Sequence, residues 1–157
     1  MQFVSRQIRD VFDLIFVVIT VAVLLGIAVN SYSAYIMRTH VAGALSIATT
    51  HKKNLVEDFY LTGEMPAGDP GDLGLVTNDN ALDVVDFGRG GITFAIQEGT
   101  TSYLFSFRAA LPDSVPRAPT LWLCGYAEAP DGYHATTENR TNIPLEYLPA
   151  ECRGYDR

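Results

Sequence analysis

Cys124 and Cys152 are the two thiols of the chain, and a pair of thiols can be oxidised to a disulfide or contribute soft ligands to a metal. The metal option lacks partners. His40, His51 and His134 are scattered, with no Cys or carboxylate at ligand spacing, so they read as solvated helix or loop residues and no metal site is expected. If bridged, the cysteines lie 28 positions apart, a closure for which the chain-entropy model gives about 3 to 4 kcal/mol. Arg9 and Asp13 stand one helical turn apart, where opposite charges can pair on one face. Ala22 and Gly26 share that spacing, and small residues so placed let helices approach closely in lipid. Gly88 to Gly91 (GRGG) joins two apolar runs and reads as a tight turn, not as a phosphate loop. Asn139 to Thr141 (NRT) matches a glycosylation acceptor by spelling alone. Trp122, Tyr126, Tyr133, Tyr147 and Tyr155 would serve either as an adhesive or DNA-contacting surface or, as is commoner for aromatics near a sheet edge, as packing. No nucleophile and base fall together, so no catalytic residue, no cofactor and no enzymatic activity are expected.

The elements that must carry these residues differ sharply along the chain. From Leu14 to Met37 there is no formal charge, and LIFVVITVAVLLGIAV is apolar except for Thr20. That exceeds the roughly 20 residues needed to cross a hydrocarbon core of about 30 Å. Arg6 and Arg9 precede the run, and the positive-inside bias then favours a cytoplasmic N-terminus with an exported C-terminal part. A cleaved secretory signal is the competing reading, with Ser31 and Ser33 as small residues suited to a peptidase. Against it, Val41, Ala44, Leu45, Ala48, Leu55 and Phe59 continue at helical spacing with no turn signal before Gly63. Lys52 falls on the same stripe, where its stem could pack while its ammonium reaches water. The simplest reading is one helix of about 50 residues, closed by Gly63 and Pro66.

Charge follows the same division. Through Lys53 there are five basic residues against Asp10 and Asp13, whereas the remainder is strongly acidic within a total of −7. Nucleic acid is therefore not expected as the main partner, since neutralising phosphates takes a surplus of Lys and Arg. Residues 63 to 80 are dense in Gly, Pro, Asp and Asn and read as a long surface connection. Beyond it, Leu82 to Phe87, Ile92 to Gln97, Tyr103 to Ala109 and Thr120 to Tyr126 are strand candidates. Ile92, Phe94 and Ile96 alternate with Thr93, Ala95 and Gln97, the period of a sheet with one buried face. The prediction is an α+β fold: a long helix packed on a three- to four-stranded antiparallel sheet. Its divisions are 1–13 as a leader-like, cytoplasmic N-terminus, 14–37 as the transmembrane half of the helix, 38–62 as the amphipathic half, and 63–157 as a globular head.

This arrangement resembles the type IV pilins and pilin-like proteins over nearly the whole chain. The apolar run followed by SYSAYIMRTHVAGALSIATTHKKNLVEDFYLTGEMP is similar to the pilin helix, with Tyr32, Tyr35 and Arg38. WLC (Trp122 to Cys124) and YLPAECR (Tyr147 to Arg153) look like the last sheet strand and the closing cysteine. The resemblance implies a ladle-shaped subunit, a disulfide loop between Cys124 and Cys152, and apolar helices that pack in a filament core. It also implies that Asp13 pairs with a cation on a neighbouring subunit during assembly, with Arg9 as the available substitute for a freed N-terminal amine. The sequence departs from the family in one respect: its first glycine, Gly26, lies deep in the apolar run, so no prepilin cleavage site is seen. The implied partners are copies of the chain or other pilin-like subunits, the inner membrane and the filament assembly machinery. Two other jobs fit the same elements, a permanently anchored minor or secretion-system subunit and a single-pass anchored extracytoplasmic binding domain.

Overall fold

The computed structural model describes residues 2–66, 68, 81–114 and 119–154, and of these omits the side chains of residues 2–11 and Asn30. One helix, α1 (Gln2–Thr62), forms the N-terminal part. It starts well before the apolar run because residues 2–13 contain neither Gly nor Pro and nothing there interrupts a helical backbone. It stops at Gly63, whose φ of +78° is the left-handed conformation that closes a helix and whose N–H donates to the Phe59 carbonyl at 2.8 Å. Of the long connection expected over 63–80, residues 67 and 69–80 lie outside the described residues.

The chain divides into two compact units, residues 1–36 and 37–157. In the first, the described side chains from Phe12 to Val29 are all exposed. Among the described residues this is the one helix long and apolar enough to cross a membrane. Thr20, the polar exception, donates its hydroxyl to the Phe16 carbonyl at 2.8 Å, so the helix itself satisfies the group.

In the second unit α1 becomes one-sided. Met37, Val41, Ala44, Ala48 and Leu55 are buried, with Leu45 and Ile47 packed beside them. Lys52 does not lie on this seam. It is exposed, and His51 is the half-buried residue between Ala48 and Leu55. Counting 3.6 residues per turn from Ala44 brings the seam nearer to position 51 than to 52, a distinction that the coarser three-or-four spacing misses.

The seam packs against a five-stranded antiparallel sheet made of β1 (Leu82–Gly88), β2 (Gly91–Glu98), β3 (Thr101–Pro112), β4 (Leu121–Cys124) and β5 (Tyr133–Ala135). The order is β1-β2-β3-β4, with β5 pairing the end of β3. GRGG makes the β1–β2 turn, with positive φ at Arg89 (50°) and Gly90 (80°), and Val85 is left out of register in β1 as a bulge. The fifth strand has no apolar alternation of its own. Its three residues join because β3 extends past β2 and offers free backbone groups. Two single-turn 3-10 helices, Leu145–Tyr147 and Ala150–Cys152, close the described chain.

Alternation along β2 and β3 sends Ile92, Phe94, Ile96, Phe105 and Phe107 into one cluster with the α1 seam. The opposite face carries Thr93, Ala95, Ser106, Arg108 and Ala110, and it is also buried. A sheet with one buried face is therefore corrected to one covered on both sides. The cover comes from the segment between the cysteines, which bonds to the strand at several points. Arg140 N–H donates to Ser106 Oγ at 3.1 Å, Ser106 N–H to Thr141 Oγ1 at 3.1 Å, and Asn142 N–H to the Leu104 carbonyl at 3.0 Å. The Cys124–Cys152 disulfide is formed and closes this segment at its two ends.

Candidate functional site

β3 places Arg108 on the covered face, because its neighbours at alternate positions, Ser106 and Ala110, point the same way. Only 7% of Arg108 is exposed. Its Nη2 donates to the Ala127 carbonyl at 2.7 Å, while Nε, fully buried, has no hydrogen-bond partner. An orphaned donor on a charged group is costly, on the order of 1 to 3 kcal/mol or more. Burial pushes the guanidinium below its ordinary range, and the negative charge of Glu128 partly opposes that shift.

Arg108 borders an open cleft of about 1400 Å³ under the disulfide-closed segment, lined also by Tyr126, Glu128, Asp131, Asn139 and Arg153. The residues flanking the disulfide are fixed by hydrogen bonds. Tyr126 N–H donates to the Cys152 carbonyl at 2.8 Å, and the Tyr126 hydroxyl donates to the Ile143 carbonyl at 3.1 Å. Arg153, the residue after the bridge, is held by its Nε–H to the Leu148 carbonyl at 2.9 Å. Two guanidinium groups from residues 45 positions apart in sequence thus border one cleft, together with two carboxylates. Such a lining can take an anion on the guanidinium side and hydroxyl or ammonium donors on the carboxylate side.

The residues singled out from the sequence fall into two groups. Cys124 and Cys152 are joined. Asp13, Ala22 and Gly26 lie exposed on α1, and nothing lies within 4 Å of where a Cβ at Gly26 would stand. The side chain of Arg9 lies outside the described residues, as does Tyr155. Tyr32 and Tyr35 are 66% and 62% exposed at the end of the apolar run. Arg38, just beyond, donates from Nε to the Glu146 carbonyl at 3.1 Å and so fastens α1 to the C-terminal segment of its own unit.

Of the aromatic group, Trp122 stacks on Phe107 with ring centroids 5.1 Å apart, and Tyr126 and Tyr147 pack against the core. His134 does acquire a carboxylate neighbour that sequence spacing concealed. Its Nδ1 lies 2.7 Å from Asp113 Oδ1, across the β3–β5 junction. Among the described residues no three His, Cys, Asp or Glu side chains converge as metal ligands would. Asn139 accepts the Thr141 N–H at 3.1 Å, a local turn that accounts for this Asn-X-Thr spelling structurally. Arg108 itself went unnoticed in the sequence, since alternation alone assigns an arginine at that position to a solvated face. No family model matches this chain, and no curated protein matches it either.

Proposed function

We propose that the chain is a membrane-inserted, pilin-like subunit that forms, or helps to assemble, a type IV pilus or related filament by packing its apolar helix against those of sister subunits. The observation carrying this reading is the surface of α1 from Phe12 to Val29, where Phe12, Phe16, Leu24, Leu25 and Ile27 are each 60% or more exposed. Covering one large apolar side chain is worth about 1.5 to 3 kcal/mol, so a run of this length demands lipid or other helices around it. The same helix continues without a break into the seam of the head, which couples the apolar rod to a folded domain. The disulfide supports an oxidising compartment for that domain, in keeping with an exported head.

Within this reading Asp13 is the assembly residue, pairing with a cation of a neighbouring subunit, and Arg9 supplies the nearest cation in the chain. Asp13→Asn is expected to lower incorporation into surface filaments when cells are imaged by electron microscopy and the sheared filament fraction is quantified. Unchanged incorporation would remove the role of Asp13. Cells lacking the gene but showing the same filaments would favour a permanently anchored minor subunit over a bulk one.

A further inference from the structure

We propose that the head binds a second copy of itself head to tail, Lys52 and Lys53 of one copy seating on the acidic cover of the next at Asp131 and Glu138. This contact presupposes the self-assembling subunit proposed above and adds the surfaces through which its heads meet. From Arg38 to Asn54, α1 carries three cations and no carboxylate, a balance of +3. Lys52 and Lys53 are the only lysines of the chain. Both are exposed, and among the described residues neither makes an ion pair. The segment between the cysteines, residues 125–151, holds five carboxylates against Arg140 alone, a balance of −4 with histidine neutral. Arg140 is itself committed to Asp86 at 3.2 Å. Glu128, Asp131 and Glu138 stand exposed on that cover.

Placement decides the partner. The α1 seam packs on the apolar face of the sheet and the cover on the polar face, so the two charged surfaces stand on opposite sides and do not neutralise each other within one chain. A two-fold dimer through either surface would lay lysine on lysine or carboxylate on carboxylate, which like-charge repulsion disfavours. A head-to-tail contact pairs opposite signs, leaves one surface unused at each end and so propagates into an open chain. Glu57 and Asp58, in the next turn of α1, bound the basic stretch. Arg153 borders the cleft beside Asp131, yet Glu128, Asp131 and Glu138 outnumber it. Anionic lipid fits less well, because Lys52 lies about 21 Å of helix beyond Arg38, the first charge after the apolar run. Single exposed pairs contribute little, so the contact is salt-sensitive and supplements the packing of apolar helices.

The lysine pair supplies the test. Full-length protein, half of it labelled with heavy nitrogen, is reconstituted in phosphatidylcholine vesicles and treated with a carbodiimide, which joins an amine to a carboxylate with no spacer. Links between light and heavy copies are expected from Lys52 or Lys53 to Glu128, Asp131 or Glu138. Their yield should fall at least about fivefold between about 0.01 M and about 1 M salt. In sedimentation of the detergent-solubilised protein, Lys52→Glu with Lys53→Glu, and separately Asp131→Lys with Glu138→Lys, should each weaken self-association about tenfold. An equimolar mixture of the two variants should regain it, because their reversed surfaces complement each other. All four positions are exposed, and melting curves would confirm folding. Absence of links between copies, links confined to Glu57 or Asp58, a yield indifferent to salt, or a mixture no stronger than its parts would each overturn the proposal. So would lysine-dependent binding to phosphatidylglycerol vesicles without such links. If filaments form while links are absent, only this contact falls; if links form in a chain that builds no filament, only the filament reading falls.

Discussion

Cys124 and Cys152 close the two ends of the cover over the polar sheet face, a cover that Ile143 and Leu148 also anchor in the core. Cys124→Ser is therefore expected to lower unfolding free energy by about 3 to 4 kcal/mol in urea titrations, with the same loss in the reduced native protein. Gly125 follows the bridge at φ +58°, and a Cβ there would collide with the Cys152 carbonyl oxygen. Gly125→Ala should cost about 1 to 3 kcal/mol by the same measurement, through strain and not through lost contacts. Tyr147 gives a pH signature. Desolvation first, then the charges of Glu98 and Glu146 and the neighbouring Tyr103, raise its phenol above the ordinary value of about 10. The folded state holds this proton more tightly than the unfolded one. Its stabilising contribution is thus complete below about pH 10 and is lost as pH rises through the folded value. Tyr147→Phe should flatten the alkaline fall in melting temperature while leaving the neutral value nearly unchanged.

Among the elements, α1 shows how far local pattern carries. Its head-facing seam was legible because Val41, Ala44, Ala48 and Leu55 are apolar at helical spacing, and its end was legible in Gly63. Lys52 was misplaced because a three-or-four rule cannot choose between adjacent positions. β2 and β3 were legible on their apolar face for the same reason. Their polar face was not, since Thr93, Ser106 and Arg108 become interior only when a segment distant in sequence folds across them. That is also why the cleft was invisible: Arg108 and Arg153 come to border one cleft only through the fold of the disulfide-closed segment, which leaves no spacing to read. The tightness of the α1 seam gives a prediction at this scale. Ala44 and Ala48 are fully buried, so Ala48→Leu should overfill the contact between helix and sheet and destabilise the head by about 1 to 3 kcal/mol, measured by thermal unfolding.

For the whole molecule, the division of character along the chain makes its location testable. An apolar, self-satisfied run in residues 12–29 and an acidic head predict that the protein sediments with membranes, resists extraction by alkaline carbonate and dissolves in detergent. Loss of the membrane-bound fraction on replacing Leu24, Leu25 and Ile27 by Ser would be the matching result. The disulfide adds a constraint on timing. Until its thiols are oxidised, residues 125–151 lack their covalent closure, and the cover over the Arg108 guanidinium rests on hydrogen bonds and packing alone. On the reducing side of a membrane the head would remain unfinished, pliable and open to proteases. If the head is exported as proposed, completion of its fold waits on crossing, and a molecule held back in a reducing compartment exposes itself to removal.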